Sequence, residues 1–218
     1  MEQRLYSDPY ACAFYPGSSV QEWMGTNTID SLYDWIGMKG FSEMISIRTK
    51  WLDDNIKTAN FSDDMKVWEV DQPDVQKKKR DKLQWLIDQG NSGTCSALIQ
   101  EIIQTKRVQF VPVDFNSDSV EERLASQQGF ETNLSCAITL EGVTQYIPKE
   151  STADTLKKLR GIVAPGSTLL MTYVDQKVLD DDPELPKSYH RIKGLAGKVG
   201  ETWISGFTKS GVEEFLKA

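Results

Sequence analysis

Short apolar runs alternating with amphipathic helical stretches narrow the fold of this chain more than any other feature. The runs fall at residues 67–70, 108–113, 134–140 and 168–174. Between and after them, apolar residues at helical spacing predict helices over 75–87, 96–104, 119–127 and 149–163, the last closed by Ala164-Pro-Gly166. Strand-length runs, each followed by a helix, imply parallel crossovers and a doubly wound α/β sheet. Ahead of them, residues 20–36 and 41–58 show helical spacing, with Phe41, Met44, Ile45, Ile47, Trp51, Leu52 and Ile56 marking the second stretch. These predict an N-terminal helical region. The pattern contains no internal repeat and no low-complexity tract.

The stretch Lys66-Val-Trp-Glu-Val-Asp-Gln-Pro-Asp-Val-Gln-Lys77 reads as a buried strand that ends in carboxylates at a turn, with a helix following at once. In open α/β sheets the ligand crevice lies outside the carboxyl ends of the strands, and an acid there can accept the hydroxyl protons of a ribose. Asp71 also suits the cap of a helix opening near Pro73. The two roles are compatible.

Two other apolar runs end in the same way. Val108-Gln-Phe-Val-Pro-Val-Asp114-Phe115 sets a carboxylate beside an aromatic ring, a pairing suited to an adenine amino group and its face. Ala137-Ile-Thr-Leu-Glu141-Gly142 adds Glu141, with Gly142 free to bring backbone close to a ligand. Each acid taken separately also fits a helix cap or a turn. Together Asp71, Asp114 and Glu141 form one acidic rim.

Length and charge bound the function. With 218 residues the chain suffices for one well-buried α/β domain and is marginal for two. Its net charge of −7 opposes nucleic acid and anionic membrane as general partners. Cys12, Cys95 and Cys136 are odd in number and far apart, which argues against a disulfide framework and for a reducing, cytoplasmic setting. No apolar run approaches the length of a membrane span, and the N-terminus lacks the apolar core of a secretion signal.

A single histidine, His190, in a polar stretch with no cysteine near it, leaves little basis for histidine triads or zinc sites. The carboxylates of Asp180-Asp-Asp-Pro-Glu184 are contiguous instead of spaced as in a calcium loop, so a solvated loop is expected and no metal. The basic run Gln76-Lys-Lys-Lys-Arg-Asp-Lys82 reads as a solvated helix face, with Leu83 and Trp85 turned to the core. Trp23, Trp35 and Trp51 are read first as core residues, with a share in covering a substrate pocket.

Several segments, in order, carry a family resemblance. They are Ser7-Asp-Pro-Tyr10, Ile47-Arg-Thr-Lys-Trp-Leu-Asp-Asp54, Trp68-Glu-Val-Asp-Gln-Pro73, Val111-Pro-Val-Asp-Phe115, Leu140-Glu-Gly-Val-Thr-Gln-Tyr-Ile-Pro148, Ala164-Pro-Gly-Ser167 and Gly200-Glu-Thr-Trp-Ile-Ser-Gly-Phe207. In these the chain resembles the S-adenosylmethionine-dependent leucine carboxyl methyltransferase family, O-methyltransferases among them. The resemblance implies a Rossmann-like class I methyltransferase sheet under an N-terminal helical cap. Residues 1–60 would form the cap and 61–218 the core, as one structural domain.

It also implies S-adenosylmethionine as cofactor, with the methyl passing to a carboxylate or hydroxyl of a small molecule or chain end. Arg48 would pair with the methionyl carboxylate of the cofactor, and Glu141 would lie near its amino group. Asp71, with Glu69 beside it, would bind the ribose, and Asp114 with Phe115 would flank the adenine. An amino acid ligand needs one cation for its carboxylate and one anion for its ammonium, so this allocation is physically coherent. Read without the resemblance, Arg48 is a helix-surface guanidinium paired with Asp53 or Asp54.

The chain departs from the family at one internal place. Between Asp54 and Val67 the family carries a further apolar strand ending in Gly-x-Gly-x-Asp, whereas here Ile56-Lys-Thr-Ala-Asn-Phe-Ser-Asp-Asp-Met-Lys66 runs straight into the next strand. The family's closing C-terminal strands are also not seen. An incomplete sheet follows, whose flanking strands must pair directly or borrow a strand from a second copy in a homo-oligomer. Cofactor affinity should then fall, and a catalytically inactive interaction protein is the alternative from another class.

Overall fold

In the computed structural model the described residues are 41–58, 65–88, 107–115, 117–198 and 200–217. The helices expected over 20–36 and 96–104, together with Trp23, Trp35, Cys12 and Cys95, lie outside them.

Helix α1 (Phe41–Thr58) leads to β1 (Val67–Asp71), α2 (Pro73–Asp88), β2 (Val108–Pro112) and α3 (Val120–Ala125). Then come β3 (Ala137–Leu140), a single 3-10 turn (Thr144–Tyr146), α4 (Lys149–Gly161) and β4 (Thr168–Met171). Three short helices follow: α5 (Gln176–Leu179), α6 (Lys187–Lys198) and α7 (Lys209–Phe215). The α/β alternation read from sequence is what forms. Its largest boundary errors are equal: β3 starts at Ala137 because residues 131–135 turn instead, leaving Leu134 57% exposed, and β4 ends at Met171, three residues before the end of its apolar run.

The sheet differs from a single doubly wound one. β1 pairs with β2 and β3 with β4, both parallel, as separate two-stranded sheets among the described residues. The hydrogen-bond phase identifies the open edges. Val67 N–H donates to Arg107 O and Val113 N–H to Asp71 O, so Val67, Glu69 and Asp71 turn their main chain toward β2. Trp68 and Val70 therefore point theirs to the other edge. Thr168 N–H donates to Cys136 O and Thr172 N–H to Leu140 O, which likewise leaves Ala137 and Thr139 on the edge of β3 away from β4.

Direct pairing of the flanking strands does not occur here. The connection between Thr58 and Val67 is also too short to supply the missing partner, since a parallel crossover takes a dozen or more residues.

One apolar cluster nevertheless joins the two sheets. Val111, Val113, Val120, Leu124 and Leu159 are buried, with Trp68, Val70, Phe115, Phe130, Ile138 and Ile162 packed against them. It draws on β1, β2, β3, α3 and α4, so period-2 alternation is visible in β1: Trp68 and Val70 face this cluster, while Glu69 faces α2. Trp68 meets Phe130 edge-on at 5.5 Å between ring centres.

Two tryptophans depart from the core reading. Trp51 is 45% and Trp85 49% exposed, and Trp85 lies under the Lys82 ammonium at 4.0 Å from its ring centre. On α2 the buried position is Gln76 instead, because its carboxamide donates to the Glu69 carbonyl at 2.9 Å and so pins helix to strand. The remaining basic face of α2 is solvated, with Lys77 paired to Asp81 one turn on. Among the described residues no helix is long and apolar enough to cross a membrane.

Candidate functional site

The polar strand ends expected from sequence lie at the carboxyl ends of β1, β2 and β3. At the first, Asp71 Oδ1 accepts from the Gln72 N–H at 2.7 Å. Gln76 N–H donates to Gln72 O at 2.9 Å and opens α2, so the cap position is Gln72, and Asp71 sits one residue ahead of it. Its other carboxylate oxygen takes no hydrogen bond among the described residues.

Glu69 is bound into the seam between β1 and α2. Oε2 accepts from Lys79 Nζ, while Oε1 is buried with no partner. At the end of β2, Asp114 O accepts from Ser117 N–H at 3.0 Å and Asp118 N–H at 2.7 Å, and its N–H donates to Asp118 Oδ2 at 3.0 Å. The turn so formed leads to α3, whose cap is Ser119, accepting from Glu122 N–H at 3.3 Å. Phe115 packs against the shared apolar cluster. Val113 N–H on Asp71 O, at 2.9 Å, brings the Asp71 and Asp114 segments to one end of the β1–β2 pair.

The third strand end reaches across the molecule. Arg48 Nε on α1 lies 2.7 Å from Glu141 Oε1, just past β3, with the two side chains 31% and 36% exposed. The Nε–H is nevertheless buried without an accepted hydrogen bond. The short distance is thus a charge contact whose N–H is not aimed at the carboxylate. Asp53 and Asp54 are not its partners here; Asp54 pairs with Lys50 at 2.6 Å. Gly142 follows in the left-handed region with φ of 65°, and a Cβ there would meet nothing within 4 Å, so the turn faces open space. Its N–H donates to Thr172 Oγ1 at 3.0 Å, tying the ends of β3 and β4.

The sequence-predicted residues therefore form two groups, Asp71 with Asp114 and Arg48 with Glu141. Glu69 is diverted to Lys79. Sequence reasoning passed over Gln145, Tyr146 and Glu201, which gather beyond β3: Tyr146 Oη is 3.3 Å from Glu201 Oε2, and Gln145 O accepts from Ile204 N–H at 2.7 Å. Their signal was adjacency to Glu141 within one quoted segment and the polar-aromatic mix of residues 200–207. The acidic loop engages its own cations, Asp181 with Lys193 at 2.6 Å and His190 at 3.3 Å, and Asp182 with Lys177 at 3.5 Å.

Parallel strands with intervening helices define an α/β protein. Comparison with known sequences makes this particular: residues 58–160 match the family described as leucine carboxyl methyltransferase. The chain is also similar to the "Putative S-adenosyl-L-methionine-dependent methyltransferase YktD" of Bacillus subtilis (strain 168), 27% identical over 154 residues. The aligned part is 71% of this chain and 45% of the relative, so the chain spans less than half of that protein's length.

Proposed function

We propose that this chain is an S-adenosylmethionine-dependent O-methyltransferase with a Rossmann-like core at residues 61–218 and a helical cap at 1–60, acting in the cytoplasm on a hydroxyl or carboxylate. The family match and the named relative support the cofactor. The observation that carries the reading is the Arg48–Glu141 contact, which holds one cation and one anion side by side at a strand end.

The side chains present fit the cofactor. A zwitterionic amino acid group satisfies Arg48 with its carboxylate and Glu141 with its ammonium, and Arg48 Nε–H stands without an acceptor to begin with. Asp71 keeps one carboxylate oxygen for a ribose diol, and the unpartnered Glu69 Oε1 lies on the same face of β1. Asp114 and Phe115 then stand nearest the adenine. When bound, the cofactor supplies an electrophilic methyl group. The protein's share is to bind, to orient the acceptor oxygen in line and to exclude water; a carboxylate acceptor has no proton to lose, whereas a hydroxyl gives up its proton to water or to a neighbouring carboxylate as the methyl arrives.

The stretch 59–66 has no glycine, so close-approach amides at that place are lacking and affinity should be modest. Calorimetric titration with S-adenosylmethionine and with its demethylated product tests the proposal. Saturable heats with both, at a dissociation constant of about 1 mM or tighter, are expected, corresponding to roughly −4 kcal/mol. Absence of heat with either compound on the folded chain overturns it and favours a scaffold that serves interaction only.

A further inference from the structure

We propose that Gln145 is the residue that recognises the methyl acceptor, and that the acceptor is a neutral hydroxyl on an apolar body, a phenol in the simplest form. This rests on the methyltransferase reading above and names the substrate class for the same strand-end site.

Gln145 occupies the 3-10 turn straight after β3 and Glu141, and only 8% of it is exposed. Its carbonyl is fully used, accepting from Ile204 N–H at 2.7 Å and Ser205 N–H at 3.3 Å. Its carboxamide is not used: among the described residues it forms no hydrogen bond, and neither of its polar atoms is among those sealed from solvent without a partner. Buried polar groups are nearly always satisfied, so a carboxamide that is neither bonded within the protein nor sealed from solvent is left for water or a ligand to satisfy. A second orphan stands one residue from the same backbone link. Trp203 Nε1 is buried with no acceptor. An oxygen-bearing ligand answers the demand of the Gln145 carboxamide.

The flanking groups choose the kind of oxygen. A carboxamide donates from Nε2 and accepts at Oε1, so a hydroxyl engages both ends while a carboxylate engages only the donor. Glu201, against Tyr146 Oη at 3.3 Å next to Gln145 in sequence, adds negative charge to this end of the fold and disfavours an anion. Apolar surface is available beside them: Tyr173 is 38% and Ile204 55% exposed, and Thr144 Oγ1, donating to Thr172 O at 3.0 Å, holds the Gln145 turn against the end of β4. The ring of Tyr173 is steadied edge-on by Phe207 at 5.9 Å. An apolar body with one hydroxyl fits that pairing of floor and flank.

The test is a titration of the isotope-labelled full chain with phenol, and separately with benzoate as the anionic counterpart, followed on the Gln145 side-chain amide signal in two-dimensional NMR. That signal is assigned through its own backbone, so no variant is needed. Phenol is expected to shift it saturably and benzoate to leave it in place. In Gln145→Leu, phenol binding read on the Ile204 amide should weaken about fivefold, the size of one ordinary hydrogen bond.

An unmoved Gln145 amide with phenol, an equal response to benzoate, or undiminished phenol binding in the variant overturns the proposal. The cofactor titration on the same sample separates the two readings. Phenol binding at Gln145 without cofactor heats removes the methyltransferase reading alone, and cofactor heats without a phenol response remove the Gln145 assignment alone.

Discussion

Where β1 ends, the polar side chains are already held by the helix that follows; where β3 ends, they reach to distant elements or to nothing. Glu69 is anchored by Lys79, Asp71 by the amide of its neighbour, and the opposite face of β1 is closed by the shared apolar cluster. Beyond β3, Glu141 reaches Arg48 on α1, Tyr146 reaches Glu201, and the Gln145 carboxamide has no partner among the described residues. The first end is self-contained, as suits a fixed recognition of one cofactor group. The second is assembled from residues far apart in the chain, as suits a place that must admit something.

That comparison presumes one shared core, and the largest effect expected is on it. Leu159, 7% exposed on α4, packs against Val111, Val113, Val120 and Leu124. Leu159→Ala should cost about 2–5 kcal/mol, the range for a buried leucine whose cavity collapses only in part. Denaturant unfolding followed at Trp68 near β1 and by amides of β4 should shift together. If only one sheet loosens, the two are independent and the contrast between their ends has a simpler origin.

The next effect is on binding. Asp71→Ala should weaken S-adenosylmethionine by about 1.5–3 kcal/mol, as for a lost hydrogen bond to a charged group, with unfolding little changed. At the other end Arg48→Lys should hurt almost as much as Arg48→Ala, because a planar fork is not replaced by a point charge. Calorimetry on the three variants decides both. Full affinity in Asp71→Ala would leave its carboxylate with a turn to hold and nothing more.

A smaller, purely structural effect belongs to the β2 side. Ser119→Ala removes the oxygen that accepts from Glu122 N–H at 3.3 Å and should cost about 1 kcal/mol in denaturant midpoint analysis. Because α3 lies against the shared cluster and away from the Arg48–Glu141 contact, cofactor affinity should stay as it was. A change in affinity would show that the two ends are coupled through the core.

The physical origin of these contrasts explains what the sequence disclosed. Elements set by local periodicity were legible: α1 agrees at both ends, and β1 and β2 agree to within a residue. β3 was overread because Leu134 is apolar without being buried. The split of the described strands into two sheets depends on pairing across the chain, which periodicity does not encode. At the site, acids at strand ends announce themselves by position. Trp51 and Trp85 were misplaced because size suggests burial while a helix face decides it. Gln145 was invisible, since an unpartnered carboxamide is a property of packing.

The smallest effect tests how far the looser character of the β3–β4 side extends. Asp181, on the loop before α6, has its carboxyl held below the usual value of 3.8, first by the hydrogen bond from Lys193, opposed by desolvation, and further by the Lys193 charge and His190. A group lowered in this way stabilises the fold fully above the unfolded value near 3.8 and loses that contribution as pH falls through the lowered folded value. The carboxylate is largely exposed, so the contribution is slight and salt should reduce it. Asp181 also has φ of 53°, which makes Asp181→Asn the proper comparison, because asparagine tolerates the left-handed region and only the charge is lost. The melting temperature of Asp181→Asn should fall slightly below the parent at neutral pH and merge with it in strong acid, with amide exchange faster in α6 and unchanged in β1. Equal melting at neutral pH would mean that α6 is held without the Lys193 contact. Faster exchange in β1 would mean that the two ends of the molecule respond as one, against the comparison drawn from their strand ends.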